Sequence, residues 1–317
     1  MGGGPRAARP ARPRPGAGTF RRPRPNRRGG RRRDPRRAPH HGPDHRLPGD
    51  GTPREGQAPP PARLVEGRRP DLATLWILHG GVDDHTAWTR GTDVAALTAR
   101  SGVIVVMPNG GRCGNYSDWW NYGNGGSPKW ETFHMNELRR ILESDYNAGN
   151  ARVIAGNSMG GLGAMLYAAR FPGMFRAAAA FSGYLHTLHG HKPGDSSTGW
   201  GPALACPGTD WRRVWGHPDR QAPIWRAHNP TDLADRLRGV RLWVASGNGR
   251  AGPLGRLPFP DPVEAAAREH ARAFTGRLRE LGVSVTTRFF DGQHDWPYWE
   301  RELHEAYPML MDALAAR

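Results

Sequence analysis

Val153-Ile154-Ala155-Gly156-Asn157-Ser158-Met159-Gly160-Gly161-Leu162-Gly163-Ala164 reads as a buried strand over residues 152–155, a sharp turn, and a helix starting at about Met159. Its centre, Gly156-Asn157-Ser158-Met159-Gly160, is a G-x-S-x-G nucleophile elbow. Such a turn holds its serine in a strained backbone conformation, and only small residues two before and two after let strand and helix pass so closely. The hydroxyl then stands above a helix N-terminus, where developing negative charge is favoured. The pentapeptide alone is common by chance. Its place between an apolar β-run and a small-residue helix gives it weight.

The same strand–helix rhythm extends outward from the elbow. Upstream, residues 75–78 form a short apolar strand ending in His79-Gly80-Gly81, and residues 92–100 a helix. Residues 103–107 form a second strand, closed by Pro108-Asn109-Gly110-Gly111. A polar, aromatic loop follows through Tyr116, Trp119, Trp120 and Tyr122. Residues 131–144 have helical periodicity, with Phe133, Leu138, Ile141 and Leu142 on one side. Downstream of the elbow helix, residues 177–181 are a fourth strand and 240–245 a fifth, with residues 232–238 helical before it. Residues 262–281 form a helix opened by Pro262. Residues 283–290 are the last strand, and a terminal helix ends near Leu314. Strands alternating with helices at this spacing imply a mostly parallel sheet covered by helices on both faces. Residues 183–230 break the rhythm with Trp200, Trp211, Trp215 and Trp225, a Trp-rich insertion after the fourth strand fit for a lid or substrate wall.

Charge and composition bound the rest. The chain has 317 residues and a formal net charge of +16, but residues 1–60 hold 16 arginines against four acids. What remains is mildly basic. Residues 1–61 are an Arg/Pro/Gly-rich leader in which Phe20 and Leu47 are the large apolar residues past Met1, too few to offset ordering entropy. The segment reads as disordered, or as a mis-set start, and the folded domain as residues 62–317. A nucleic-acid arm is the alternative, but no aromatics interleave with the arginines, so no specific nucleic-acid partner is expected. No apolar run approaches membrane-spanning length, and no export signal follows Met1 in the sequence as given, which leaves the compartment undecided. Cys113 and Cys206 are the only cysteines, which excludes cysteine-based zinc clusters and allows one disulfide. His186, His189 and His191 lie close together without nearby carboxylates, so no metal is expected there, and no cofactor elsewhere.

A serine needs a base in reach, and the base needs a carboxylate to fix its tautomer. In hydrolases with this elbow the chain order is Ser, Asp/Glu, His. His294 lies in the loop after the last strand, at the same sheet edge as the elbow, and is the candidate base. Asp261, Glu264 and Glu269 are candidate acids, and spacing alone does not choose. Two backbone N–H groups should receive the developing oxyanion: that of Met159, directly after the nucleophile, and that of Gly81 after the first strand. Trp119, Trp120 and Trp296 are candidate substrate-binding residues.

His294-Asp295-Trp296-Pro297-Tyr298-Trp299, Lys129-Trp130-Glu131-Thr132-Phe133, and Leu242-Trp243-Val244 with Gly247-Asn248-Gly249 resemble an esterase family of the α/β-hydrolase fold. It includes the mycolyltransferases (antigen 85) and S-formylglutathione hydrolase-type esterases. The resemblance runs from about Leu75 to the end, in the same order. It implies a Ser–Glu–His triad with Ser158 as nucleophile and His294 as base. The family's acid lies ten residues before a phenylalanine on the helix preceding the histidine loop, which selects Glu264, ten before Phe274. Its oxyanion donors map to Gly81 and Met159. The resemblance implies acyl esters of sugars, lipids or glutathione as substrates, with hydrolysis or acyl transfer through an acyl-serine. The chain departs from the mycolyltransferase branch at His79-Gly80-Gly81, where that branch has Asp-Gly-Leu, which weakens the case for mycolate and trehalose. The strands with which family members usually begin are not evident in residues 1–61. The rival reading of the same triad is a serine peptidase.

Overall fold

The computed structural model describes residues 71–193, 206 and 208–315. The Arg-rich leader, the boundary at residue 62 and Trp200 lie outside the described residues. Among the described residues, six strands form one parallel sheet in the order β2-β1-β3-β4-β5-β6. They are β1 (Leu72–Leu78), β2 (Ile104–Val106), β3 (Ala148–Asn157), β4 (Ala177–Phe181), β5 (Arg241–Ser246) and β6 (Thr286–Phe289). The chain runs from β1 out to β2, then crosses back to β3 on the other side of β1. That reversal opens a crevice at the C-terminal ends of β1 and β3, where ligands bind in open α/β sheets.

Alternation along the strands separates two apolar layers. Trp76, Leu78, Ile154, Ala178, Ala180, Leu242 and Val244 face one cluster, completed by Phe274 and Leu278. Leu75, Ile77, Val153, Ala155, Ala177, Ala179, Phe181, Trp243 and Ala245 face the other, completed by Trp88, Leu303, Ala306 and Leu310. Burial on both faces is why these strands read as continuous apolar runs. The small side chains of β4, Ala-Ala-Ala-Ala-Phe, let helices from both layers approach it closely.

The helices fit the expected places with local differences. A short helix not expected from sequence, α1 (Ala87–Gly91), precedes α2 (Val94–Thr98), which occupies the middle of the helix expected over 92–100. The first of these ends where Trp296 packs on Gly91, a side chain that a Cβ at Gly91 would meet at 2.3 Å. The run 130–145, α3, is helical as expected, but Phe133–Leu138 takes a π-helical turn. That shift in phase turns Ile141 out to solvent while Met135 and Leu142 are buried. The elbow helix, α4, spans Met159–Arg170. Two short helices follow in the Trp-rich region, α5 (Arg212–Trp215) and α6 (Ala222–Ala227). Trp215 and Trp225 pack there on Leu162 of α4. A Cys113–Cys206 disulfide joins this region to the loop after β2. Residues 232–238 supply only a 3-10 turn, Ala234–Leu237. The long helices α7 (Pro262–Glu280) and α8 (Trp296–Ala315) flank the short last strand.

Two stability effects follow from this packing. A Cβ on Gly160 would lie 2.2 Å from the carbonyl oxygen of Leu78, with rigid backbone on both sides. Gly160→Ala should therefore cost about 3 kcal/mol or more, read as a shift in the denaturant midpoint. His134 and His270 are buried, and burial pushes their imidazoles down to about 4 and about 3. Unfolded, each takes up a proton near pH 6.5; folded, each resists until well below that. The unfolded chain thus binds more protons in between, so stability is full above pH 6.5 and declines as the pH falls. Denaturant titrations should show a loss of roughly 3 kcal/mol per histidine by pH 4.5.

Candidate active site

The elbow is built as its sequence requires. Ser158 has φ 54° and ψ −121°, a conformation strained for any residue with a side chain. Its N–H donates to the Phe181 carbonyl at 2.8 Å, which fixes the turn to the end of β4. A Cβ on Gly156 would come within 2.3 Å of the Gly160 carbonyl oxygen, so strand and helix cross with no room for side chains. Tyr184 lies against the serine hydroxyl. Burial pushes its phenol up to about 12, with the bond to Ser158 the largest opposing influence, so it stays an O–H donor.

The loop after β1 meets the elbow from the other side of the crevice. A Cβ on Gly80 would sit 3.6 Å from that of Ser158. His79 clamps this loop: Nε2 accepts from the Gly110 N–H at 2.8 Å, and Nδ1 donates to the Gly80 carbonyl at 2.7 Å. That pattern needs a neutral ring, and burial lowers its pKa. The Gly81 carbonyl accepts from the Cys113 N–H at 2.7 Å. The N–H groups of Gly81 and Met159 engage no acceptor among the described residues. Met159 Sδ accepts from the Asn115 N–H at 3.3 Å.

His294 stands between two carboxylates. Its Nδ1–H donates to Glu264 Oε2 at 2.7 Å, and its backbone N–H to Asp261 Oδ2 at 2.7 Å. The edge of its ring meets Trp299, centroids 4.9 Å apart. Glu264 is fully buried. Its Oε1 accepts from the hydroxyls of Ser182 and Ser246, both at 2.9 Å, and from the Gly247 N–H. Ser182 in turn accepts from Trp299 Nε1 at 3.0 Å. Each of these groups can donate to Glu264, whose two oxygens can each accept.

A cavity of about 310 Å³ opens over these groups, lined by Ser158, His294, Gly81, Tyr184, Trp296 and Trp299 among others. The structure thus brings Ser158 and His294 to one cavity and Glu264 to His294, while Glu269 is exposed on another face of α7. With Nδ1 committed to Glu264, Nε2 is the ring nitrogen left for the serine. Trp296 lines this cavity, whereas Trp119 and Trp120 are not among its lining residues. They pack by the insertion instead. Arg213 stacks over Trp119, and the Trp120 N–H donates to Val214. Of the three loop histidines, His191 bonds Asp219, a carboxylate overlooked in sequence because it lies 28 residues further along the chain.

Sequence reasoning missed the supporting shell: His79, Ser182, Tyr184, Ser246 and the second contact of Asp261. Ser182 and Ser246 each follow or end a strand, at the sheet edge where the site had to be. That position was the available signal.

A family model described as "Putative esterase" matches residues 61–310. The diacylglycerol acyltransferase/mycolyltransferase Ag85B of Mycolicibacterium smegmatis is 31% identical over 259 residues, 77% of this chain and 78% of that protein. The Ag85A of Mycobacterium leprae is 32% identical over 256 residues, 76% of each chain. Among solved structures, Mycobacterium tuberculosis MPT51 superposes with a TM-score of 0.64 at 25% identity, covering 76% of this chain and 90% of that one. An S-formylglutathione hydrolase from Agrobacterium tumefaciens shares the fold, with a TM-score of 0.53 at 16% identity over 77% of this chain and 84% of that one.

Proposed function

Because the chain belongs to the putative esterase family, with the antigen 85 proteins among its relatives, we propose that Ser158, His294 and Glu264 are the catalytic residues of a serine esterase or acyltransferase. The observation that carries this reading is the 2.7 Å contact between Glu264 Oε2 and His294 Nδ1, beside the cavity that Ser158 and His294 share.

The chemistry follows from that arrangement. His294 Nε2 takes the proton of Ser158 as Oγ attacks the ester carbonyl. The Gly81 and Met159 N–H groups receive the oxyanion. Collapse of the tetrahedral intermediate breaks the bond to the alcohol, which leaves with the proton from His294. The acyl-serine then passes its acyl group to water, or to a second alcohol, by the same steps in reverse. No step calls for a metal or cofactor. The acyl group enters between Tyr184, Val263, Trp296 and Trp299. The disulfide that joins the oxyanion side to the insertion favours an oxidising compartment.

The test is a series of p-nitrophenyl esters of increasing chain length, run with and without alcohol acceptors and followed by intact mass. A burst of nitrophenol with one acyl group on Ser158 is expected. Acylation elsewhere, or none with any ester, would reject the assignment. New ester product in the presence of alcohol identifies a transferase.

A further inference from the structure

We propose that Asp261 is a positioning residue of this site, whose carboxylate registers the loop carrying His294 against the helix carrying Glu264. The proposal rests on the triad reading above. Asp261 is buried immediately before α7. One carboxylate oxygen, Oδ1, accepts from the N–H groups of Val263 and Glu264, at 2.9 and 3.2 Å, and caps the helix. The other, Oδ2, accepts from the His294 N–H at 2.7 Å. The backbone of Asp261 is tied as well: its N–H donates to the Gly249 carbonyl at 2.7 Å, and the Gly249 N–H to that of Gly292 at 2.8 Å. One residue therefore gathers the loop after β5, the start of α7 and the loop after β6.

Capping alone does not account for this choice. Helix caps need one acceptor, and Asn, Ser or Thr serve nearly as well as Asp. The second acceptor is what a carboxylate adds, and here it is spent on His294. The contacts close a ring. Asp261 holds the backbone of both Glu264 and His294, while the two side chains bond each other at 2.7 Å. His294 is thus fixed at two points, its main chain and its Nδ1. With only the ring contact, the imidazole could tilt about Glu264 and carry Nε2 away from Ser158. Misplacement on the ångström scale is enough to cost about 100-fold in rate. Asp261 is not among the residues lining the cavity, so its effect passes through His294.

Asp261→Asn keeps a capping oxygen but turns an N–H₂ toward the His294 N–H. It should lower kcat about 10- to 100-fold with KM within about twofold, and shift the melting temperature by only a few degrees. Asp261→Ser, which caps but cannot reach His294, should lose kcat to the same extent and serves if the amide variant folds poorly. The discriminating measurement is the same substitution in a His294→Ala background. A residue acting through His294 has no further effect on the residual turnover there, because groups that act as a unit are not additive. Parent-like kcat in both single variants would overturn the proposal and leave Asp261 as a cap. An equal loss of turnover with and without His294 would also overturn it, in favour of a purely structural role. Failure of the triad reading registers separately, as near-parent turnover in His294→Ala itself.

Discussion

Ser158→Ala should reduce ester turnover about 10⁵- to 10⁶-fold, the loss seen when a nucleophile that works as one unit with its base is removed. The fold should be unaffected. Ser158 makes its structural bond through its backbone N–H to Phe181, which alanine keeps, and its hydroxyl lies against Tyr184. Residual turnover reports what the oxyanion donors and the cavity do unaided. A useful control is Ser158→Gly. The backbone at φ 54° is strained for serine and easy for glycine, so this variant should be equally inactive yet more stable by about 1 kcal/mol. Near-parent turnover in a preparation of Ser158→Ala freed of parent enzyme would sink the esterase mechanism at its first step.

Glu264→Gln should cut turnover by about 10⁴-fold, the scale expected when the base is held in the wrong tautomer. Its surroundings dictate how the amide would sit. Three donors converge on Oε1, from Ser182, Ser246 and Gly247, so the amide oxygen must face them. The N–H₂ then faces His294 Nδ1, which becomes the acceptor. The ring proton moves to Nε2, and the nitrogen meant to take the serine proton already carries one. Substrate affinity should change little, since Glu264 is fully buried behind His294. Stability should fall by about 1–3 kcal/mol, because a charge-assisted bond is replaced by a neutral one in a buried site. Glu269→Gln is the matched control on the same helix, where the carboxylate is exposed. Its turnover should equal the parent's. If Glu269→Gln were the damaging change and Glu264→Gln harmless, the acid would have been misassigned.

The parts of this molecule legible in sequence are those fixed by short-range rules. The elbow could be read because Gly156, Ser158 and Gly160 are demanded by one tight crossing. The inner strands β1, β3, β4 and β5 could be read because each is apolar on both faces. Spacing left three acids, and resemblance chose Glu264. The differences from the sequence reading lie in features that a local apolar pattern does not carry. Trp296 packs on Gly91 where α1 ends, and the helix expected over 92–100 is shortened to Val94–Thr98. The π turn at 133–138 moves Ile141 out of the face assigned by a 3.6-residue period. Trp119 and Trp120, candidate substrate-binding residues in sequence, do not line the cavity, and Arg213 of the insertion stacks over Trp119. The shell around Glu264 comes from the ends of β4 and β5, and nothing local in Ser182 or Ser246 announces a carboxylate partner more than a dozen residues away.

The order of the strands has a consequence for how activity arises during folding. Ser158 follows β3, Glu264 follows β5, and His294 follows β6, the outermost strand on its side of the sheet. On the proposed roles, the nucleophile belongs to the centre of the sheet, while its base depends on β6, the last described strand in chain order. A nascent or partly assembled chain carries an elbow serine with nothing to deprotonate it. Such a chain is kept from acylating itself or its neighbours while apolar surface is still exposed. Ester turnover thus counts only molecules whose sheet is complete to its edge, and it reports the docking of β6 more sharply than far-ultraviolet spectra, which the inner strands and helices dominate.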